Sequence, residues 1–324
     1  MLKVFGLAMG AVLSLAGAAG AQDWPSRPVT MVIPFAAGGP TDVLGRVMAE
    51  RMSQILGQQV VVENVGGAGG MTGSQRVAKA EPTGYQFVLG TVGTHAQNQT
   101  LYKKPAYDSA NDFAPVAFIA EVPLILITRK DFPASTLQEF IAYTKANQGK
   151  MTFGSAGAGS ATHLGCVLLN SAIGVDVSHV PYRGTGPAMQ DLAGGRIDYM
   201  CEIVTTALPQ IQGGAVKALA TMTKTRSPVL PDLATAHEQG LKDFEAYTWN
   251  AFFLPRGTPE PIVKKMHEAT VQAMETPAVK ERLQGLGASL VAPERRSPDY
   301  LAKFVKSEIE KWAAPIKASG VSME

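Results

Sequence analysis

Two glycine-rich segments of this sequence could bind an anion. They read PFAAGGPTD (residues 34–42) and FGSAGAGSATHL (residues 153–164). Each follows an apolar run and precedes a stretch with helical spacing, so each should join a strand to the start of a helix. The amide groups of a helix N-terminus are free, the helix dipole favours negative charge there, and glycine lets the backbone approach a ligand closely. Two such segments could hold one carboxylate, although either one alone could simply be a turn that needs glycine.

The motifs of other functional classes are missing from both segments. Neither contains the Gly-Lys-Ser/Thr of a P-loop, and Thr162 stands where a dinucleotide fingerprint needs its third glycine. A nucleophile elbow needs glycine two residues before the serine, but Phe153 stands there for Ser155 and Ala158 for Ser160. The five histidines form no HExxH motif and no pair at metal-binding spacing. We therefore expect no enzyme, no cofactor and no metal.

Length and composition set the broad class. The chain has 324 residues, 29 Lys plus Arg against 27 Asp plus Glu, and 46% hydrophobic residues. This length predicts two domains, and the composition argues against a coiled coil or a disordered chain. The net charge of +2 gives no reason to expect nucleic acid as a partner.

The N-terminus has the pattern of a cleaved export signal. Lys3 precedes an uncharged run from Leu7 to Ala18, and Ala19-Gly20-Ala21 fits the small-x-small cleavage rule. The alternative is a membrane anchor, but the run is shorter than the ~20 residues of a span. We expect residues 1–21 to be removed, the mature chain to begin near Gln22, and the protein to be periplasmic.

The mature sequence alternates strands with helices, which predicts parallel sheet in an α/β fold. Thr41 or Asp42 is expected to cap the first helix, which should end at Gly57. A third segment, residues 91–95, follows another strand. Residues 116–119 and 122–128 are expected to form two separate strands. The order predicts one domain at 22–122 plus 249–324 and an inserted domain at 123–248.

Taken together, several segments resemble the Bug family of extracytoplasmic solute-binding proteins from tripartite tricarboxylate transporters. They are PFAAGGPTD, VVVENVGGAGG (60–70), GTVGTHAQN (90–98), FGSAGAGSATHL, VPYRGTGPAMQDLAGGRID (180–198) and LPDLATAHEQG (230–240). The resemblance extends over essentially the whole mature chain. It implies a type II periplasmic-binding-protein fold, with two α/β domains and a ligand cleft between them. It also implies a small organic carboxylate as ligand, a permease of one small and one large membrane subunit as partner, and a monomer.

The resemblance also implies which residues bind the ligand. The first segment would supply Phe35, Ala36, Ala37, Gly38, Gly39, Thr41 and Asp42, although Asp42 could be a helix cap only. The third segment would supply Thr91, Gly93, Thr94 and His95, although His95 could equally be structural. The second would supply Ser155, Ala156, Gly157 and Ser160, and the VPYRG turn Tyr182, which could instead be a core aromatic. Arg183 of that turn is expected at the surface or hinge.

Two further features bear on the inserted domain. Many family members have Asp where this chain has Glu202, and that Asp faces the distal part of the ligand, so Glu202 is expected to favour a distal hydroxyl, amine or protonated group. Cys166 and Cys201 could form a disulfide after export, or remain two buried thiols.

The function expected from these features is capture of a carboxylate in the cleft and its delivery to a transporter. The alternatives are a periplasmic protein that presents a ligand to a two-component sensor and, from a third class, a periplasmic hydrolase acting through Ser155.

Overall fold

One ten-stranded sheet runs through both lobes of the protein. The computed structural model describes residues 24–324, so the expected signal segment at 1–21 lies outside the described residues. The strands are β1 (Val29–Ile33), β2 (Val60–Asn64), β3 (Gln86–Thr91), β4 (Phe113–Arg129), β5 (Thr152–Ser155), β6 (Ser178–Pro181), β7 (Tyr199–Ile203), β8 (Val216–Thr221), β9 (Tyr247–Pro255) and β10 (Ser289–Leu290).

Helices cover the sheet. They are α1 (Pro40–Leu56), α2 (Met71–Ala78), α3 (Asn98–Leu101), α4 (Leu137–Asn147), α5 (Ala161–Ile173), α6 (Thr185–Ala193), α7 (Val204–Gln212), α8 (Glu260–Glu275), α9 (Pro277–Gly285) and α10 (Pro298–Ala318). Within the described part of the chain, none of them is long and apolar enough to cross a membrane.

The strand order is β2-β1-β3-β9-β4-β7-β5-β6, with β8 and β10 also paired to β4. The first lobe contains the parallel strands β1, β2 and β3, and the second contains the parallel strands β5, β6 and β7. β4 and β9 pair antiparallel with each other and connect the lobes. This is the mixed α/β, two-lobed arrangement that the sequence predicted.

β4 differs from the prediction of two strands. It is a single strand of 17 residues, with Val116–Ala120 and Leu124–Ile127 fully buried. The predicted gap at Ala120 and Glu121 is instead paired with Asn250 and Trp249 of β9, and the register of the two strands shifts just before it, between Phe118 and Ala120. The predicted domain boundaries, near residues 122 and 248, both fall inside these paired strands.

The start of α1 also differs from the prediction. Its N-cap is Gly39 and its first residue is Pro40, whose ring suits the first turn of a helix, so Thr41 and Asp42 lie inside that turn. Gly57 ends the helix in a left-handed conformation, as predicted. Gly45 lets α1 pack closely on the sheet, because a Cβ there would lie 2.6 Å from Cδ1 of Ile33.

Sequence reasoning missed the helical character of three segments, one of which is α9. Residues Gly93–Gln97 form a π-helical turn that continues into α3, where a loop was expected. α7 was not predicted because Pro209 lies in its interior, where proline usually breaks a helix.

Candidate functional site

A small, partly open cavity lies between the two lobes. The first lobe contributes Phe35 and the start of α1, together with Thr91 at the end of β3. The second lobe contributes the starts of three helices, and Thr248 lies on the connecting strand β9. The full lining is Phe35, Gly39, Pro40, Thr41, Thr91, Ala156, Ser160, Ala161, Thr162, Thr185, Ile203 and Thr248.

Four helices begin at this cavity. The N-cap residues Gly39 of α1, Ser160 of α5 and Ile203 of α7 line it, as does Thr185, the first residue of α6. Each helix directs the positive end of its dipole and its first free amide groups toward the same space. Such a convergence stabilises an anion without any cationic side chain.

The polar lining of the cavity consists of hydroxyl groups. Six lining residues carry one, and no Lys, Arg, His, Asp or Glu is among the lining residues of the described chain. The Thr185 hydroxyl is buried and makes no close hydrogen bond, although it lies near enough to the Glu202 carboxyl to lower the pKa of that group. It faces the cavity and can therefore donate to a ligand there. The hydroxyl-bearing residues are Thr41, Thr91, Ser160, Thr162, Thr185 and Thr248.

Ser160 holds the second glycine-rich segment in shape. Its hydroxyl accepts a hydrogen bond from the backbone amide of His163 (3.2 Å) and donates one to the carbonyl of Gly157 (2.7 Å). The amides of Ala161 and Thr162 remain free to face the cavity, as at any helix start. Ala156 also lines the cavity, whereas Gly157 packs against Gly69 of the first lobe.

Asp42 is bound to neighbouring protein groups and does not line the cavity. Its carboxylate accepts hydrogen bonds from the Gly38 amide (3.0 Å), Nε of Arg46 (3.0 Å) and Nδ2 of Asn64 (2.9 Å). Burial alone would raise the pKa of this carboxyl, but the hydrogen bonds from Arg46, Gly38 and Asn64 and the charge of Arg46 outweigh that effect and lower the pKa. Asp42 therefore fixes the first segment and the start of α1.

Ala36, Ala37 and Gly38 are not among the lining residues. The amide of Ala36 donates a hydrogen bond to the carbonyl of Arg183 in the other lobe (3.0 Å). Ala37 and Gly38 border a more open depression with α6 and α7. These residues therefore belong to the edge of the cleft.

The third segment contributes Thr91 to the cavity. Thr94 is fully buried, and its hydroxyl accepts a hydrogen bond from the Thr91 amide (2.9 Å) and contacts Nδ1 of His95 (2.8 Å). The His95 ring is stacked on Phe253 in the core of the first lobe, and burial lowers its pKa to about 3. His95 is thus a neutral core residue, the alternative that sequence analysis had left open.

Ser155 forms a pair with a histidine behind the cavity. Its hydroxyl lies 2.7 Å from Nε2 of His179 and also accepts a hydrogen bond from the Gly157 amide (3.0 Å). The side chain is fully buried and does not line the cavity. These hydrogen bonds anchor the segment behind the cavity.

Tyr182 lies outside the lining as well. Its hydroxyl donates a hydrogen bond to Oδ2 of Asp191 (2.7 Å), and burial together with Asp191 raises the pKa of the phenol to about 12. Arg183 is exposed, as predicted, and the backbone of this turn meets the first lobe.

Glu202 is fully buried. It directly precedes Ile203, which lines the cavity, and it contacts Thr206, which borders the neighbouring depression. Oε1 accepts a hydrogen bond from the Thr206 hydroxyl (2.7 Å), and Oε2 has no partner. Burial raises the pKa of this carboxyl to about 7, although the Thr206 and Thr185 hydroxyls and the Ile203 backbone lower it in part. Near neutral pH the side chain is therefore partly protonated.

Several lining residues were not foreseen: Pro40, Ala161, Thr162, Thr185, Ile203 and Thr248. Ala161 and Thr162 adjoin a predicted segment, so helix-start reasoning could have included them. Ile203 and Thr248 carry no motif, because the first begins an unpredicted helix and the second lies on a connecting strand.

Cys166 of α5 and Cys201 of β7 are joined in a disulfide, with Cα atoms 5.4 Å apart. No group of three or more His, Cys, Asp or Glu side chains that could hold a metal ion occurs among residues 24–324.

The chain is similar to known proteins in both sequence and structure. Residues 44–321 match the model of the tripartite tricarboxylate transporter family receptor. A UPF0065 protein of Agrobacterium vitis is 45% identical over 93% of this chain and 87% of its own. The structure of the periplasmic binding protein BugD superposes with a TM-score of 0.90 at 42% identity, over 93% of this chain and 100% of BugD. MatC of Rhodopseudomonas palustris, solved with bound malate, gives 0.88 at 43% identity, over 90% of this chain and 100% of MatC.

Proposed function

Because this chain belongs to the tripartite tricarboxylate transporter receptor family, we propose that it is a periplasmic solute-binding protein for a small organic carboxylate. The observation that carries the proposal is the cavity where four helix N-termini and six hydroxyl groups converge with no basic side chain in the lining. Malate bound to MatC supports a carboxylate as the ligand class.

The first carboxylate of the ligand binds between the starts of α1 and α5, where amides and hydroxyls of both lobes donate to its oxygens. Contacts from both lobes stabilise the closed arrangement more than the open one, so the ligand shifts the population toward closure. The lobes follow the predicted boundaries, 22–122 plus 249–324 and 123–248, with β4 and β9 as the hinge.

Glu202 and Thr185 set the preference at the other end of the ligand. With the pKa of Glu202 raised to about 7, its carboxyl is neutral often enough to donate a hydrogen bond, directly or through the Thr185 hydroxyl. A distal hydroxyl, amine or protonated acid suits this end at neutral pH. A second, ionised carboxylate suits it only when Glu202 carries its proton.

The remaining parts of the proposal concern location and partners. The signal segment exports the chain to the periplasm, where it acts as a monomer and binds no nucleic acid. The closed, loaded form delivers its ligand to a membrane permease of a small and a large subunit. The protein itself catalyses no reaction.

The test is a thermal-shift screen of the mature protein, beginning at Gln22. The panel holds malate, other di- and tricarboxylates, monocarboxylates, aromatic acids and acidic amino acids. A ligand at 100 times its Kd adds about 2.7 kcal/mol to the free energy of unfolding, which gives a clear shift. A shift confined to one class of acid is expected.

No shift with any acid, in protein shown to be folded and free of ligand, would contradict carboxylate binding. Binding without any effect on uptake in a permease-containing strain would favour the sensor alternative, and conversion of a bound acid would favour the hydrolase alternative.

A further inference from the structure

The two lobes meet through backbone atoms along both sides of the cavity. On one side, Gly93 of the first lobe faces the second glycine-rich segment. A Cβ at Gly93 would lie 2.8 Å from the carbonyl oxygen of Gly159, 3.1 Å from the amide nitrogen of Ala161 and 3.2 Å from Cα of Ser160. All three of these neighbours belong to the other lobe.

The same is true on the opposite side of the cavity. A Cβ at Gly66 of the first lobe would lie 2.6 Å from the carbonyl oxygen of Arg183 in the second lobe. A Cβ at Gly184 would lie 2.8 Å from both the amide nitrogen and Cβ of Ala36. The hydrogen bond from the Ala36 amide to the Arg183 carbonyl joins the lobes at this point.

Polar groups also lie at the contact between Gly93 and the second glycine-rich segment. Asn98 is fully buried with both side-chain polar atoms unpartnered, and its Oδ1 lies 2.2 Å from where a Cβ of Gly159 would be. The Tyr102 hydroxyl donates a hydrogen bond to the carbonyl of Ala158 (3.1 Å). A wider separation of the lobes would break this bond and open the seam to water.

We infer that Gly93, Gly66 and Gly184 are positioning residues for closure: the lobes can enclose a ligand only because these three positions carry no side chain. The inference rests on the proposed function for its purpose, because closure matters only if the cleft binds a solute. The contacts themselves are independent of which solute that is.

Gly93 and Gly66 offer a clean test because alanine suits their own backbone. Neither residue has a left-handed φ, so the cost of an added Cβ comes mainly from the neighbours described above. Gly285 and Gly149 are matched controls, since neither has a left-handed φ and a Cβ at either position would meet no atom within 4 Å.

The experiment traps the closed arrangement without a ligand. A Cβ at Gly39 would lie 3.5 Å from Oγ1 of Thr185 in the other lobe, so Gly39→Cys with Thr185→Cys can form a disulfide only when the lobes meet. The rate of this cross-link under mild oxidation, read on a non-reducing gel, reports how often the lobes close.

Adding Gly93→Ala or Gly66→Ala to this double-cysteine parent should slow the cross-linking by about tenfold or more, because overpacking disfavours closure. Adding Gly285→Ala or Gly149→Ala should leave it unchanged.

An unchanged rate in both Gly93→Ala and Gly66→Ala would overturn the inference, as would a parent that never forms the cross-link. Circular dichroism and thermal unfolding of each variant show that the lobes remain folded, and two seam positions are used so that one unstable variant does not decide the result. If no carboxylate binds the wild type, the proposed function fails while the cross-linking result still decides the inference.

Discussion

The Ser155 hydroxyl lies 2.7 Å from Nε2 of His179, and His179 in turn packs against His163 with ring centroids 4.2 Å apart. His163 accepts a hydrogen bond at Nδ1 from the Gly159 amide (3.2 Å). The segment that begins α5 is therefore supported from behind by two imidazoles. Burial lowers the pKa of His163 to about 3, with a further contribution from His179, and lowers that of His179 to about 4.

These two histidines should make the protein less stable in mild acid. Between pH 6.5 and about 4 the unfolded chain binds protons on them that the folded chain does not, so the free energy of unfolding falls as the pH falls. His179→Gln should reduce this slope by up to about 1.4 kcal/mol per pH unit. Urea unfolding of the wild type and of His179→Gln from pH 4.5 to 8 measures the slope of the free energy of unfolding against pH in each protein. The two slopes should agree above pH 7, and equal slopes below pH 6 would contradict the assignment.

Glu202 should make the free energy of unfolding depend on pH in the opposite direction. Its pKa is about 7 in the folded protein against an ordinary value of 4.5, so the folded state binds more protons between these values. Its contribution to stability falls as the pH rises from 4.5 to 7 and is constant above that. Glu202→Gln, which is never charged, should gain stability relative to the wild type between pH 5 and pH 8, by up to roughly 3 kcal/mol. A difference that does not change with pH would show that Glu202 is not buried as described.

The Thr185 hydroxyl should matter for binding. Thr185→Val keeps the shape of the side chain and removes a buried donor that faces the cavity, so affinity for the acid found in the screen should fall by about tenfold. Thr128→Val is the matched control, because its hydroxyl is also buried and unpartnered but does not line the cavity. Isothermal titration of both variants compares them. Similar losses of affinity would mean that the cavity is not the binding site.

Asp42 should matter chiefly for stability. Asp42→Ala removes the acceptor of the Gly38 amide and of Asn64 and should cost about 1–3 kcal/mol. Asp42→Asn keeps part of this bonding and should cost less. Affinity of the folded Asp42→Asn protein should remain near that of the wild type, as measured by titration at 10 °C. A loss as large as that of Thr185→Val would instead place Asp42 at the ligand.

The disulfide should be present in exported protein and stabilise it. A bridge between residues 35 apart in sequence should add about 3–4 kcal/mol to the free energy of unfolding. Thiol titration of the denatured, unreduced mature protein should find no free thiol. Reduction, or Cys166→Ala with Cys201→Ala, should lower the melting temperature. Two free thiols per chain would contradict the bridge.

Much of the fold could be predicted from the sequence because its signals are local. Gly57 ends α1 as predicted, and Thr136 with Glu139 forms a capping box at the start of α4, a pattern of residue types that is visible in the sequence. The prediction was wrong where tertiary packing overrode a local signal. A break was predicted at Ala120 and Glu121, yet both residues are held in β4 by pairing with β9.

The candidate site was predictable only in part. Six of the residues that were expected to bind the ligand do line the cavity: Phe35, Gly39, Thr41, Thr91, Ala156 and Ser160. Thr185 and Thr248 were not foreseen, because they reach the cavity through the arrangement of the lobes. Thr185 lies in the segment 180–198, from which only Tyr182 was expected at the ligand, and Thr248 lies in no motif. Ser155 and His95 lie in predicted segments, but packing turns their side chains toward the lobe interiors.

The continuous strands β4 and β9 also determine how the molecule unfolds. The lobes are not joined by a flexible linker. The chain passes between them within β4 and β9, which are hydrogen-bonded to each other, and Val122 and Trp249 on these strands are almost fully buried. Neither half therefore has a complete sheet without the other, and cutting between them would expose two apolar strand edges. The protein should melt as one cooperative unit, and its opening should consist of bending and twisting in a shared sheet.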